Sequence, residues 1–368
     1  MKKLIPVILS ILMLTGCTQG ARLENQAHVV TMGIDYKDEL ITITAQVPGF
    51  GGGSGDGEKK NGSEYQIYKA SGKNFLKAYN VLCASVPQEI NLSHLKSIVF
   101  SEEFASSNIF LDTIETFLNM FSMSANAIVI VSRNDAAEIV ENQKPYIGIR
   151  LSQILPAMLD YRKESGYVPE CTLSKLYAGM LSFYSTPVSA LAETGKEKSD
   201  TGNNEAYLPG EMMREGMNKN EYMGTALFDR RKMTGILNGR ETQLMHFLSG
   251  ERLRNVQFTE PADMHVSCEK VRDVVIVTDE ERVRIKADIY LEIALLSDDV
   301  SFYEIAQSLA EDFKSVLHKA FALGCEPFGF SEIAAKDFLT IDEWNEFLLK
   351  NPFRNAQIEV NVHIRDTK

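Results

Sequence analysis

The stretch "VRIKADIYLEIAL", Val283 to Leu295, alternates apolar and polar residues over thirteen positions. Val283, Ile285, Ala287, Ile289, Leu291 and Ile293 fall on one face, and Arg284, Lys286, Asp288, Tyr290 and Glu292 on the other. A period of two with one apolar face is the pattern of a half-buried β-strand. The run "VVIV" (Val274–Val277) precedes it across the acidic turn Asp279-Glu280-Glu281, which predicts an antiparallel partner. Downstream, Ser301 and Glu304 form a capping box. It opens a helix whose Ile305, Leu309, Phe313, Val316, Ala320 and Phe321 share a face, and Gly324 closes it. A second helix, "IDEWNEFLLK", leads to "QIEVNVHIR", which alternates again and points Ile358, Val360, Val362 and Ile364 inward. The expected result is a sheet covered on one side by helices.

Reading back toward the N-terminus, strands and helices alternate. "HVVTMGIDYKDELITITAQV" (His28–Val47) predicts a hairpin turning at Lys37-Asp38-Glu39, after which Ile41, Ile43 and Ala45 alternate with Thr42, Thr44 and Gln46. Strands follow at Glu64–Gly72, His94–Ser101 and "NAIVIVS". Between them come helices at "KNFLKAYNVLCAS", "SSNIFLDTIETFLNM" and "NDAAEIVEN". "IGIRLSQILPAMLDY" predicts a helix kinked or broken near Pro156, and "LSKLYAGMLSFY" another. "YMGTALFD" and "KMTGILNG" read as short strands joined by the basic turn Arg230-Arg231-Lys232, and "ETQLMHFLSG" as a helix ending at Gly250. The fold class is therefore α+β and multi-domain, with mixed or antiparallel sheets each covered by helices. Its expected division is a leader over 1–16, an N-terminal α/β domain over 17–198, a middle segment or small domain over 199–258 and a C-terminal α+β domain over 259–368. The first domain carries a flexible glycine-rich loop at 49–63. The polar, turn-rich run Gly195–Glu211 reads as a boundary or a disordered loop.

At 368 residues with 44% apolar and 24% charged residues, the chain has material for a core in each domain without metals or a disulfide framework. Its net charge of −12 repels phosphate backbones, and no basic stripe carries interleaved aromatics, so nucleic acid is excluded as a partner. The N-terminus has a basic Met1-Lys2-Lys3, an apolar run over Leu4–Leu14 too short to cross a bilayer, and then Leu14-Thr15-Gly16-Cys17. That is the order of a bacterial lipoprotein signal, with Cys17 as the lipidation site. Two or more acyl chains on one residue give the firm membrane hold that a single chain does not.

No enzyme motif is present. The glycines of Gly49–Ser63 fit neither a phosphate loop nor a dinucleotide fingerprint. Ser93-His94-Leu95-Lys96 matches S-x-x-K without its partner motifs. The pairs Glu102-Glu103, Glu280-Glu281 and Asp298-Asp299 fall at helix starts or turns, where carboxylates belong for helix-dipole reasons. The six histidines are scattered, and no residues form a cofactor or metal site. Cys83, Cys171, Cys268 and Cys325 lie in apolar or small surroundings, which favours buried thiols. They allow three pairings that sequence does not separate. Trp344 reads as core.

Six segments in order resemble the Ger(x)C family, the lipoprotein C subunits of nutrient germinant receptors in endospore-forming bacteria. They are the lipobox at Cys17; "VVTMGIDYKDELITITAQV"; "YKASGKNFLKAYNVL"; "LSHLKSIVFSEEFA"; "MGTALFDRRKMTGILNGRETQLMHFL"; and "CEPFGFSEIAAKDFLTIDEWNEFL" with the final strand. Thr18-Gln19-Gly20 after the cysteine and Pro327–Phe330 depart from the family's common residues. The resemblance implies a non-enzymatic α+β protein of three domains without cofactors. It implies a lipid anchor through Cys17 on the outer face of the spore inner membrane, and assembly with a polytopic A subunit and a transporter-like B subunit. Gly33, Asp35, His94, Gly224 and Gly329 then read as fold determinants. A solute-binding lipoprotein of a transporter is the alternative, and it predicts two similar α/β lobes around a cleft. An extracytoplasmic hydrolase would need a catalytic constellation assembled from distant residues.

Overall fold

The computed structural model describes residues 25–49, 65–120, 123–144, 151–195, 207–211, 219–253, 256–267, 272–279, 282–296 and 300–367. In chain order the first elements are β1 (Gln26–His28), β2 (Thr31–Lys37), β3 (Leu40–Pro48), β4 (Tyr65–Gly72), α1 (Phe75–Ser85), β5 (Glu89–Asn91), β6 (Ser97–Ser101), α2 (Glu102–Ala105) and α3 (Phe110–Met120). Then come β7 (Ile128–Ser132), α4 (Ala136–Asn142), α5 (Leu151–Glu164), α6 (Leu173–Leu181) and β8 (Val188–Thr194). The hairpin β9 (Asn220–Phe228) and β10 (Met233–Leu237) leads into α7 (Gly239–Leu248). The last third holds β11 (Val256–Phe258), β12 (Met264–Ser267), β13 (Arg272–Asp279), β14 (Arg282–Leu295), α8 (Phe302–Ala322), α9 (Phe330–Ala334), α10 (Ile341–Leu349) and β15 (Gln357–Asp366). The fold is α+β with mixed and antiparallel sheets.

Eight strands form one mixed sheet in the order β10-β9-β8-β7-β6-β2-β3-β4. β2, β6, β7 and β8 run parallel at its centre, and the antiparallel pairs lie toward its edges. The two faces of this sheet separate by the strand period. Ile98, Phe100, Val129 and Val131 join one core with α1, α3 and α6, whereas Val99, Ile130, Ala190 and Ala192 join another with α4 and α5. Helices on both faces explain why Thr44 and Gln46, polar members of the alternation in β3, do not face solvent. Both are fully buried, and Gln46 Nε2 donates to the carbonyls of Val140 at 3.2 Å and Gln143 at 2.9 Å, so α4 covers the face that alternation alone leaves open. The β2–β3 turn is two residues, Asp38 and Glu39, both at positive φ (51° and 61°), as a tight hairpin of this twist requires.

The second sheet is built on β14. β13 pairs antiparallel along its first half, β12 along its second, and β15 runs parallel on its other edge. The predicted inward residues of β14 are all buried, those of β15 (Ile358, Val360, Val362 and Ile364) are half-buried, and α8 joins the same core through the face read from sequence. Ser301 Oγ accepts from Glu304 N at 3.3 Å and Glu304 Oε2 accepts from Ser301 N at 3.1 Å, which completes the capping box. Gly324 at φ 74° ends the run.

The β9–β10 hairpin reaches all three cores: Ala226, Phe228 and Met233 face that of α1, α3 and α6, Tyr222 that of α4 and α5, and Leu227 and Leu237 that of the second sheet with α7 and α8. Arg240–Asp312 (2.7 Å) and Lys319–Glu241 (2.7 Å) tie α7 to α8. Helix α5 continues through Pro156 rather than breaking there. The proline sits one turn in, where the carbonyl it would have bonded is at the helix start. β6 begins at Ser97 instead of His94, and α3 begins at Phe110 after a turn closed by Phe110 N to Ser107 O at 3.3 Å. No described helix is long and apolar enough to cross a membrane.

Candidate functional site

Cys17, the expected lipidation site, lies outside the described residues, as do the loop residues 50–63, the pairs Glu280-Glu281 and Asp298-Asp299, and Cys268. The Gly33-Ile34-Asp35 motif has a direct physical role. A Cβ on Gly33 would meet Val140 Cγ2 at 3.1 Å and the Ala136 carbonyl at 3.2 Å, so glycine lets α4 lie against the sheet. Asp35 then accepts the first free amides of that helix, from Ala136 N at 2.6 Å and Ala137 N at 3.1 Å. Burial pushes its carboxyl up to about 6, against the pull of those two amides. Asp35→Ala is expected to cost about 1–2 kcal/mol in urea unfolding, as loss of a helix N-terminal acceptor does. Asp35→Asn, which keeps an acceptor oxygen without the charge, should cost less than half of that. Equal losses in the two variants would contradict the capping role.

The remaining singled-out residues are structural. His94 lies edge-on to His28 with centroids 5.1 Å apart, and Ser93 Oγ donates to Asn91 Oδ1 at 2.6 Å instead of addressing Lys96. Glu102 and Glu103 open α2 behind the N-cap Ser101. Trp344 is buried among Phe338, Phe347 and Tyr184. Cys171 and Cys325 are buried free thiols, each pushed up to about 12 by burial, which disfavours the thiolate. Cys83 is free but exposed, because it occupies the solvent side of α1 while Phe75, Ala78 and Leu82 take the inner side.

Two polar constellations were not legible in sequence. The first lies past the C-terminal ends of the parallel strands. Arg133 Nη1 reaches Glu193 Oε2 at 3.2 Å, Glu211 Oε1 at 3.0 Å and the Pro209 carbonyl at 2.8 Å. Asn134 donates to Glu193 at 2.6 Å, and Gly210 N donates to Glu221 Oε2 at 2.6 Å. Its donors and acceptors are matched to one another, which pins the 207–211 segment to the sheet.

The second joins the two halves of the molecule. Glu326 is buried, and its carboxylate accepts from Phe328 N, Phe330 N and Ser331 N, each at 3.0 Å. Its own peptide clasps Thr186: Thr186 N donates to the Glu326 carbonyl at 3.0 Å, and Glu326 N donates to Thr186 Oγ1 at 2.8 Å. Trp344 Nε1 donates to the Phe183 carbonyl at 3.0 Å, and Cys325 Sγ to the Phe228 carbonyl at 3.2 Å. Beside this joint a cleft of about 410 Å³ opens between the 182–186 segment, the β9–β10 turn and the end of α10.

Two family models match in order along the chain: "Spore germination protein N-terminal domain" over residues 20–194 and "Spore germination B3/ GerAC like, C-terminal" over residues 223–367. The chain belongs to the Ger(x)C family of spore germination proteins. Among curated relatives, the Bacillus subtilis (strain 168) protein YfkR, named for spore germination, is 21% identical over 99% of this chain and 94% of its own length. The crystal structure of the GerBC protein superposes with a TM-score of 0.54 at 13% identity, covering 92% of this chain and 97% of that one. The shared fold therefore extends over the eight-stranded and the five-stranded sheets. The N-terminal match ends at the last residue of β8, and the C-terminal match begins within β9, its neighbour in the first sheet.

Proposed function

We propose that this Ger(x)C chain is a non-enzymatic, lipid-anchored subunit of a nutrient germinant receptor. It is held through Cys17 to the outer face of the spore inner membrane and assembled with polytopic A and B subunits. The carrying observation is the ordered match of both spore germination domains across nearly the whole chain. The proposed organisation is a leader (1–16), an N-terminal domain (17–198), a middle segment (199–258) and a C-terminal domain (259–368). Its described buried charges act as caps, clasps and joints, which supports a role in presenting surfaces. A lipid tether raises the effective concentration of such surfaces at the bilayer, so modest contacts suffice for assembly. The solute-binding alternative calls for two similar parallel lobes. Here one sheet has eight strands of mixed direction, and the other centres on the antiparallel β12–β14 and β13–β14 pairs.

Cys17→Ala is expected to abolish membrane retention and to remove the lipid mass from the mature chain, read by fractionation and intact mass. Unchanged retention and mass would contradict the anchor. Co-purification of A and B subunits with the chain in mild detergent tests assembly, and their absence would contradict it.

A further inference from the structure

We infer that the cleft at the joint is a binding site for a small carboxylate with an apolar body. The Arg230 guanidinium lies 4.4 Å above the Phe183 ring, in the mouth of the cleft. Among the described residues it has no carboxylate partner. Asp229, its neighbour, is turned onto its own loop, accepting from Arg231 N at 2.6 Å and Lys232 N at 2.8 Å. Glu326, at the cleft floor, has its oxygens taken by three backbone amides. Partial burial depresses the Arg230 pKa, the mark of a cation held away from water without a counter-ion. On a chain of net charge −12 this turn is a local exception.

The opposite wall is apolar: Leu323, Leu348, Leu349 and Pro352. Leu349 is 82% exposed at the rim, and Phe183 is 41% exposed. At about 410 Å³ the cleft falls within the range of small-molecule sites, which pair apolar walls with few polar groups. A guanidinium fork matches a carboxylate through two parallel hydrogen bonds, and in a partly desolvated mouth these are charge-assisted. Asp229 Oδ1 is held by its own loop while the Arg230 guanidinium is not, so the Arg230 fork is the group that selects for a carboxylate. Because the lining comes from both halves of the molecule, an occupant would bridge the first sheet's edge hairpin to α10. This holds independently of the A and B partners.

Titration calorimetry on the full chain tests it, with hexanoate as the probe and acetate and hexylammonium as comparisons. Hexanoate is expected to bind at least about tenfold more tightly than either, and Arg230→Gln to weaken it by about tenfold or more. Leu349→Asp places a carboxylate on an exposed rim position, where the fold does not depend on the side chain, and should weaken hexanoate similarly. Three results would overturn the site: no hexanoate heat up to about 10 mM, equal binding of hexylammonium, or full hexanoate affinity in both variants.

Discussion

Glu326→Ala is expected to give the largest loss of stability of any single side-chain truncation at the joint. The carboxylate is the acceptor for three buried backbone amides, at Phe328, Phe330 and Ser331. Each buried donor left without an acceptor costs about 1–3 kcal/mol. Water entering from the adjacent cleft relieves part of this, so the expected total is about 3–5 kcal/mol, a large share of the roughly 5–15 kcal/mol that holds a domain folded. Urea unfolding followed by tryptophan fluorescence measures it well. Trp344 is the single tryptophan, and it sits at the same joint, bonded to the Phe183 carbonyl. Glu326→Gln keeps one oxygen and should lose less. Burial pushes the Glu326 carboxyl from 4.5 up to about 7, outweighing the amides that favour the ionised form. Between those values the folded chain holds a proton that the unfolded chain has released. This contribution is therefore fully present below pH 4.5 and lost as pH rises toward 7. Glu326→Gln should flatten that part of the stability–pH curve. An unchanged midpoint in Glu326→Ala would contradict the clasp.

Gly224→Ala is expected to cost about 3 kcal/mol, from strain at a left-handed backbone together with overpacking. Gly224 has φ 98°, and a Cβ there would stand 2.6 Å from the Leu237 carbonyl oxygen, which is backbone and fixed by the hairpin. Its amide also donates to the Tyr167 carbonyl at 2.8 Å, so the strand cannot shift away freely. Gly235 is the internal comparison. A Cβ there meets Leu323 Cδ1 at 2.6 Å, the far end of a flexible side chain, and φ is not in the left-handed region. Gly235→Ala should cost about 1 kcal/mol or less, since a rotamer change relieves the contact. Because β9–β10 walls the cores of both halves, the Gly224→Ala loss should appear as one shifted transition rather than as melting of one half. Equal effects of the two substitutions would contradict this account of the hairpin.

Much of the architecture was readable wherever one face of an element meets a core and the other meets water. The β14 alternation, the α8 stripe and the Ser301–Glu304 capping box are of this kind, because periodicity and local hydrogen bonding act within a few residues. Alternation was silent where a second layer covers the polar face of a strand, as α4 does over Thr44 and Gln46. The joint was hidden for a different reason. Glu326 bonds forward to residues two to five positions away, but its peptide is clasped by Thr186, brought in from far along the chain, and its neighbour Cys325 by the Phe228 carbonyl. A lone acid ahead of the aromatic-rich Pro327-Phe328-Gly329-Phe330 was the available sign. Arg133 likewise meets Glu193 and Glu211 only through tertiary structure.

The most direct test of the receptor assignment is the fall in optical density of spores lacking this chain, after nutrients and separately after a non-nutrient trigger. The account predicts loss of at least one nutrient response with the non-nutrient response intact. A normal response to every nutrient would contradict it.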